Sequence, residues 1–283
     1  MNKRIDLHTH STASDGSMSP RELVRHAKSS GLTTIAITDH DTIDGVKDAL
    51  DEGAKIGIEV IAGVETSVEF DPEMHMLGYF FEDTYKNFEP TLEKFRISRN
   101  DRNPKMVEKL KNLGFDITLE EVQLEAKGNI VARPHIANVL LKKGYVKSIR
   151  EAFDKYISEG KPAFVKREKM SPEECIEAIT KAGGIPVIAH PIFLYLSWRK
   201  LDLLVEKLVK VGLKGIETYY VENKGDDTGN LLRIVKKHNI VPTGGSDFHG
   251  TFKPGIEIGV GKGNLSVPYE VLERLKNCKK DFI

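Results

Sequence analysis

The pattern of apolar and polar positions at the start of the chain predicts short strands that alternate with amphipathic helices. Residues 5–8 alternate with a period of two, and the β-branched run at 33–38 indicates a buried strand. Between them, the segment SPRE at 19–22 has the spacing of a capping box and begins a predicted helix. A helix at 43–56 and a strand at 60–64 follow. The order β-α-β-α-β is typical of a parallel sheet with right-handed crossovers.

Two further apolar segments, 67–70 and 75–81, predict a β-hairpin, because the four residues between them cannot hold a crossover helix. From residue 83 to 163 the periodicity is helical throughout. A helical stretch of this length inside an α/β pattern indicates an inserted small helical subdomain.

The alternation of strands and helices resumes after the insertion. Strands are expected at 185–189, 215–220 and 241–244, and a closing helix at 269–277. Seven strands with alternating helices fit a barrel better than an open sheet. We therefore expect an α/β barrel in two parts, residues 1–82 and 165–283, with the helical subdomain at 83–164.

Composition narrows the class of protein without identifying it. The 283 residues are 40% hydrophobic, enough for a large core, and 42 basic residues balance 42 acidic ones. This zero net charge gives no reason to expect a long nucleic-acid duplex or a membrane surface as a partner. Cys175 and Cys278 lack CxxC spacing, and the first residues lack the apolar stretch of a signal peptide. We therefore expect reduced thiols and a cytoplasmic protein.

Metal-ligating residue types gather at the predicted strand ends, where α/β barrels place their active sites. The set comprises His8, His10, Asp15, His40, Glu65, His75, His190, Asp247 and His249, and Glu217 lies on the sixth predicted strand. The nine candidates exceed the three protein ligands of one catalytic zinc, so two or three ions are expected, with Glu65 as a natural bridge. Imidazole and carboxylate together admit manganese, zinc or iron. The chain has no GxSxG or P-loop motif, which argues against a serine nucleophile or a Walker-type site.

The motifs DLHTHS, SDG, TDHDT, GVE, HMLGY, AHP and GSDFHG together resemble the PHP (polymerase and histidinol phosphatase) family of metal-dependent phosphoesterases. The resemblance covers both predicted barrel parts and implies a distorted (β/α)7 barrel, which agrees with the strand count. It also implies three ions. Their ligands would be His8, His10, Glu65 and Asp247 for the first, Glu65, His75 and His190 for the second, and Asp15, His40 and His249 for the third. A metal-bridging hydroxide would be the nucleophile and Asp247 would take its proton, so Asp247 and Glu65 are the expected catalytic residues.

The insertion carries a second signal, the segment VARPHIA at 131–137. It resembles a segment of the PHP phosphoesterases that act on nucleotides, the group of 3′,5′-nucleotide bisphosphate phosphatases and RNase AM-like 5′→3′ exoribonucleases. Pro134 suits the first turn of a helix, which places Arg133 at an amino terminus that favours anions. Arg133 could bind a phosphate bidentately and His135 could donate to the same group. The alternative is a surface arginine at an ordinary helix start.

A row of basic residues on one predicted helix of the insertion allows two interpretations. Arg96, Arg99 and Arg102 are three residues apart and share a face, with Lys105 beyond. The row either faces the site, with Arg99 and Arg102 as substrate-binding residues, or is a solvated helix surface.

These observations lead to one main hypothesis and two alternatives. The main hypothesis is a phosphoesterase that cleaves a phosphate from a small nucleotide or a 5′-terminal nucleotide from short single-stranded RNA. The alternatives are a histidinol phosphatase and a non-catalytic metal-binding module. The segments 192–198 and 217–223 depart from the family pattern, which leaves the exact substrate open.

Overall fold

The computed structural model describes residues 3–126, 131–166 and 169–280, which include a seven-stranded sheet. The strands are hydrogen-bonded in chain order and only the fourth runs antiparallel to its neighbours. They are β1 (Arg4–Asp6), β2 (Leu32–Ile37), β3 (Glu59–Val68), β4 (Met74–Phe80), β5 (Ile185–Ile188), β6 (Gly215–Tyr220) and β7 (Val241–Gly245).

Hydrogen bonds nearly close the sheet into a barrel. They join the segment that follows β1 to the last residues of β7 and to the segment after β7. The Leu7 amide donates to the Gly244 carbonyl at 3.1 Å, and the Asp247 amide donates to the His8 carbonyl at 2.9 Å. The predicted distorted seven-stranded barrel is therefore confirmed, as is the hairpin, formed by β3 and β4. The separate strand predicted at 67–70 is wrong, because β3 continues without interruption to Val68.

Ten α-helices surround and extend the barrel within the described residues. They are α1 (Pro20–Ser29), α2 (Val46–Ile56), α3 (Glu89–Asn112), α4 (Leu119–Glu125), α5 (Arg133–Lys142), α6 (Ile149–Ala152), α7 (Pro172–Lys181), α8 (Trp198–Val211), α9 (Asp227–His238) and α10 (Tyr269–Lys280). A single π-helical turn, Phe153–Ile157, follows α6. None of these helices is both long and apolar enough to cross a bilayer.

Local sequence explains where the helices that flank the barrel begin. Ser19 and Ser171 accept hydrogen bonds from backbone amides three residues later, and the glutamates at those positions accept from the serine amides in return. Proline follows each serine, where its missing amide proton costs nothing. These reciprocal caps fix the starts of α1 and α7 at the positions predicted for them.

Two hydrophobic regions meet along α3. Phe88, Leu92 and Phe95 pack into the barrel core, whereas Met106 and Leu110 belong to a separate cluster formed by the insertion. The insertion thus has its own small core and shares one helix with the barrel. The three-part division of the chain stays a prediction.

Candidate metal centre

The structure brings all nine predicted metal-ligating side chains together at one end of the barrel. His8 and His10 follow β1, His40 follows β2, Glu65 lies in β3 and His75 in β4. His190 follows β5, Asp247 and His249 follow β7, and Asp15 lies in the loop after β1. Most of these side chains are fully buried; His40 and His75 are partly exposed.

Glu65 is the centre of this cluster. Its Oε2 lies 3.3 Å from His8 Nε2, 3.2 Å from His10 Nε2 and 3.2 Å from His40 Nδ1. Its Oε1 lies 2.9 Å from His75 Nδ1 and 3.0 Å from His190 Nε2. Each carboxylate oxygen therefore faces a different group of imidazoles, which is the arrangement of a bridging ligand.

Three groups of ligand atoms lie close enough to hold ions. The donors of His8, His10, Glu65 and Asp247 lie within 4.8 Å of one another, as do those of His10, Asp15, His40 and His249. Glu65 Oε1, His75 Nδ1 and His190 Nε2 form a third group, in which the two histidine nitrogens are 3.3 Å apart. His40 also lies close to Glu65 and His75, so it stands between the second and third groups.

Several buried nitrogens in the cluster fit a metal centre better than a hydrogen-bond network. His8 Nε2, both ring nitrogens of His10 and His40 Nδ1 have no hydrogen-bond partner among the described residues. A buried polar atom without a partner is costly, and coordination would satisfy each of these nitrogens. Nitrogen and oxygen donors in this mixture suit manganese, zinc or iron.

The carboxylates of the cluster are held in the ionised form that binds metal ions, whereas its histidines divide into neutral and protonated positions. Burial alone raises the pKa of Glu65, Asp15 and Asp247, but the charges around them outweigh burial and hold each pKa well below its usual range. Burial lowers the pKa of His40 to about 3, which keeps its ring neutral. Burial also acts to lower the pKa of His75, but nearby carboxylates raise it to about 10, so this position favours a positive charge.

Glu217 supports the cluster from behind. Its side chain is fully buried in β6, with Oε1 3.0 Å from His8 Nδ1 and Oε2 accepting the backbone amide of His190 at 2.7 Å. It therefore contacts one histidine from each side of Glu65. The sequence marked Glu217 only as a polar residue on a predicted strand.

Two buried aspartates that were not predicted as site residues hold the loops that carry ligands. Asp6 accepts from the amide and hydroxyl of Ser246 at 2.9 and 2.6 Å and from the Gly259 amide at 2.7 Å. Asp39 accepts from the amide and hydroxyl of Ser11, both at 2.7 Å, and from the Ser14 hydroxyl at 2.6 Å. The sequence signal that could have identified Asp6 and Asp39 is their position, because each is a carboxylate at the end of one of the first two strands.

The backbone at these strand ends is strained. Asp41, His190 and Asp247 have positive φ angles of 51°, 24° and 55°. Residues other than glycine adopt this region at a cost of about 1–3 kcal/mol, and such residues gather at functional sites.

A cavity of about 300 Å³ opens beside the cluster. Asp15, His40, His75 and His249 contribute to its wall, together with five basic side chains. These are Arg102 and Arg133 of the insertion, Lys166 and Lys169 of the segment after it, and Lys253, which follows β7. The cavity volume is that of a small-ligand site.

Glu73 joins the metal ligands to the basic residues of the cavity. It accepts from Arg133 Nη2 at 2.8 Å and lies 2.8 Å from Lys169 Nζ. Its Oε1 also lies 3.7 Å from His75 Nε2. The insertion is thus fastened to the hairpin beside the site.

The predicted substrate-binding residues have different positions. Arg133 begins α5 and lines the cavity, and Arg102 lines it while buried and bonded to Asn103 Oδ1. His135 is not among the residues that line the cavity: it is buried and its Nδ1 accepts the Ala132 amide at 3.0 Å, a helix-capping contact, and its expected phosphate contact stays a prediction. The side chain of Arg99 lies outside the described residues.

The predicted basic row on α3 does not face the cavity as a unit. Arg96 binds Glu89 and Glu93 of its own helix, and it is not among the residues that line the cavity. Arg102 lies about one and a half turns further along α3. Among the arginine side chains of this row that the structure describes, it alone lines the cavity.

The fold and the cluster define a class of protein: an α/β barrel with a multi-ligand metal centre at the carboxyl ends of its strands is typical of metal-dependent hydrolases. The family model described as "PHP domain" matches residues 6–183. The chain therefore belongs to the PHP family, and it is a metal-dependent phosphoesterase, as the sequence predicted.

Known proteins that resemble this chain over most of its length include two enzymes and a solved structure. A 5′-3′ exoribonuclease of Haemophilus influenzae is 35% identical over 88% of this chain and 91% of its own length. A 3′,5′-nucleoside bisphosphate phosphatase of Chromobacterium violaceum is 30% identical over 90% of each chain. A protein of Bifidobacterium adolescentis, described as a candidate metal-dependent phosphoesterase, has a TM-score of 0.86 and 30% identity, with 98% of this chain and 96% of its own covered.

Proposed function

We propose that this protein hydrolyses phosphate esters of small nucleotides. The substrate would be a 3′,5′-nucleoside bisphosphate or the 5′-terminal nucleotide of a short single-stranded RNA. One observation carries the proposal: a single cavity is lined by the metal-ligand cluster and by Arg133, Lys166 and Lys169. A ligand with two phosphate groups would match both regions. The relatives named above support the proposal over histidinol phosphatase.

The metal-ligand assignment is part of the proposal. His8, His10, Glu65 and Asp247 would hold one ion, Glu65, His75 and His190 a second, and Asp15, His40 and His249 a third. The ions would be manganese, zinc or iron. When bound, they would activate water and neutralise charge on the phosphoryl oxygens.

Asp247 would accept a proton from the attacking water. Its Oδ1 faces His10 Nε2 at 3.3 Å and His249 Nδ1 at 3.4 Å. Its Oδ2 accepts from the Tyr220 hydroxyl at 2.8 Å and from Lys253 Nζ at 2.5 Å. Tyr220 and Lys253 therefore fix the carboxylate and leave Oδ1 turned to the cluster.

Arg133 would orient the substrate by its second phosphate. It lies at the amino terminus of α5, where the helix dipole favours an anion. Its present partner is the Glu73 carboxylate, and Lys169 binds the same carboxylate. A phosphate would compete with Glu73 for these two cations. Holding the remote phosphate would position the scissile one at the metals, where orientation contributes much of the rate.

The test is a hydrolysis screen in manganese buffer that detects both inorganic phosphate and released mononucleotides, because cleavage of a 5′-terminal nucleotide from RNA frees a nucleotide and no phosphate. The substrates are nucleoside 3′,5′-bisphosphates, nucleoside monophosphates, 5′-phosphorylated short RNAs and histidinol phosphate. We expect the bisphosphates or the RNAs to have the highest kcat/KM. Preferred hydrolysis of histidinol phosphate would overturn the substrate assignment, and no hydrolysis of any ester after metal reloading would revive the non-catalytic module.

Two sets of variants test the roles of residues. His10→Ala, Glu65→Ala and Asp247→Ala should each abolish turnover. Because two-phosphate substrates need Arg133, Arg133→Gln should raise KM for bisphosphates and leave KM for monophosphates nearly unchanged. Arg150→Gln is the matched control, since Arg150 is exposed and pairs only loosely with Asp154 at 3.6 Å. The cytoplasmic location stays a prediction.

A further inference from the structure

Part of the cavity wall is aromatic. Phe153 and Phe164, both half-buried, line it together with Phe70 and Phe252. The guanidinium carbon of Arg133 lies 5.8 Å from the centroid of the Phe153 ring and 5.9 Å from that of the Phe164 ring. Two phenyl rings therefore flank the cation that would hold the second phosphate of a substrate.

The backbone that carries Phe153 is unusual. Phe153 begins the single π-helical turn Phe153–Ile157. This turn follows α6 directly, and the regular α-helical hydrogen bonds of α6 end there. Such turns are rare and are found often at functional sites. Here the turn lies where the chain brings Phe153 to the cavity.

The polar side chains of the same wall are poorly suited to reading the edge of a base. None of the described residues that line the cavity is asparagine or glutamine, the side chains that pair in a bidentate manner with adenine. Arg102 and Arg133, which could pair with guanine, bind Asn103 and Glu73. Glu69 and Glu73 in the same wall pair with Lys166 and Arg133. Ser67 and Glu159 also line it and could contact a base edge, so the ring faces and cations stand beside only a few such groups.

We propose that Phe153 and Phe164 form a stacking subsite for the nucleobase, and that the subsite accepts all four bases. The inference rests on the proposed function and names the part of the substrate that this function leaves open. A base is joined to its phosphates through one ribose, so a phosphate on Arg133 brings the base close to both rings. Stacking on an aromatic side chain tolerates every base because every base has a π face.

The first experiment compares substrates on the unaltered protein. Hydrolysis rates are measured for the 3′,5′-bisphosphates of adenosine, guanosine, cytidine and uridine, and for ribose 3,5-bisphosphate, which lacks a base. We expect the four nucleotides to agree in kcat/KM within about tenfold. The compound without a base should be poorer by roughly 5- to 150-fold, the range for one stacked base. Equal rates for that compound, or discrimination among bases above a hundredfold, would overturn the proposal.

The second experiment uses Phe153→Leu and Phe164→Leu, which keep apolar volume and remove the aromatic face. Each should raise KM for the nucleotides and leave the compound without a base unchanged. If the rings serve only to position Arg133, KM should rise equally for the nucleotides and for the compound without a base, and this result would refute the subsite. Phe115→Leu is the control, because Phe115 packs on Tyr145 and Tyr156 inside the insertion and does not line the cavity.

Calorimetric titration separates this inference from the proposed function. Adenosine 3′,5′-bisphosphate and ribose 3,5-bisphosphate are titrated into the full-length protein after metal removal, with the same variants. Tighter binding of the nucleotide, lost in Phe153→Leu and Phe164→Leu, supports the subsite even if no ester is hydrolysed. Equal binding of the two compounds refutes it even if hydrolysis is fast.

Discussion

Replacement of Glu217 by glutamine should weaken metal binding without unfolding the protein. Glutamine has the size of glutamate but lacks its charge, and it presents one acceptor oxygen instead of two. In the native protein one carboxylate oxygen of Glu217 binds His8 Nδ1 at 3.0 Å and the other accepts the His190 amide at 2.7 Å. The variant can keep one of these contacts and must lose the other.

The expected size of the effect follows from these contacts. A hydrogen bond to a charged group contributes about 1.5–3 kcal/mol. Loss of a partner that orients a metal-ligating histidine typically lowers metal affinity by about 10- to 100-fold, which corresponds to about 1.4–2.7 kcal/mol. Because His8 and His190 lie on opposite sides of Glu65 and would bind different ions, we expect the affinity for at least two of the ions to fall.

The assay is competition with a chromogenic chelator, combined with metal content by mass spectrometry after dialysis. Glu222→Gln is the matched control, since Glu222 follows the same strand and makes only an exposed pair with Lys262. Native affinity for every ion in a folded Glu217→Gln variant would refute the reasoning. Equal losses in both variants would show that the effect is not specific to the contacts of Glu217.

Three further predictions concern packing, thiol reactivity and pH. Gly245→Ala should cost about 1–3 kcal/mol in chemical denaturation, because a methyl group there would lie 2.4 Å from the backbone nitrogen of His8; an unchanged midpoint would contradict this. Burial raises the pKa of the Cys175 thiol, so thiol reagents at pH 8 should modify half-buried Cys278 first and Cys175 only on unfolding. Hydrogen bonds to two basic side chains of α9 lower the pKa of Asp202. Its contribution of about 0.5–1 kcal/mol is therefore complete above about pH 4 and is lost as the pH falls further, so the stability gap between the native protein and Asp202→Asn should close at low pH. A gap that does not shrink as the pH falls from 5 to 3 would contradict this assignment.

The barrel could be predicted from sequence because its strands are short apolar runs between capped helices. β6 was predicted at its observed bounds, and the antiparallel β4 followed from a connection too short for a helix. The error at β3 has a physical cause. Its second half contains Glu65, Thr66 and Ser67, which resemble a strand end, but all three are buried in the barrel. The candidate site thus has polar residues inside the barrel, where a hydrophobic pattern expects apolar ones.

The candidate metal-ligand cluster could be predicted because most of its members follow strands, Glu65 and His75 lie in neighbouring paired strands, and strand ends meet at one rim. The supporting residues could not be predicted in the same way. Asp6 holds Ser246 and Gly259, which are about 240 and 253 positions away in the sequence, and no local pattern indicates such a pairing. His135 shows the opposite limit. Its motif indicated a phosphate contact, which stays a prediction, and gave no sign that its Nδ1 would accept the Ala132 amide at the helix start.

Closure of the barrel and assembly of the metal centre depend on the same residues. The hydrogen bonds that join the ends of the sheet come from Leu7, His8, His10 and Asp247, either as donors or as acceptors. Asp247 makes its closing bond with φ at 55°, a strained conformation that places its side chain between Tyr220 and the histidines. The strain persists because the closing bonds and the buried Asp6 network fix the backbone on both sides. A change that opens the seam between β1 and β7 should therefore disperse the ligands before it exposes the hydrophobic core.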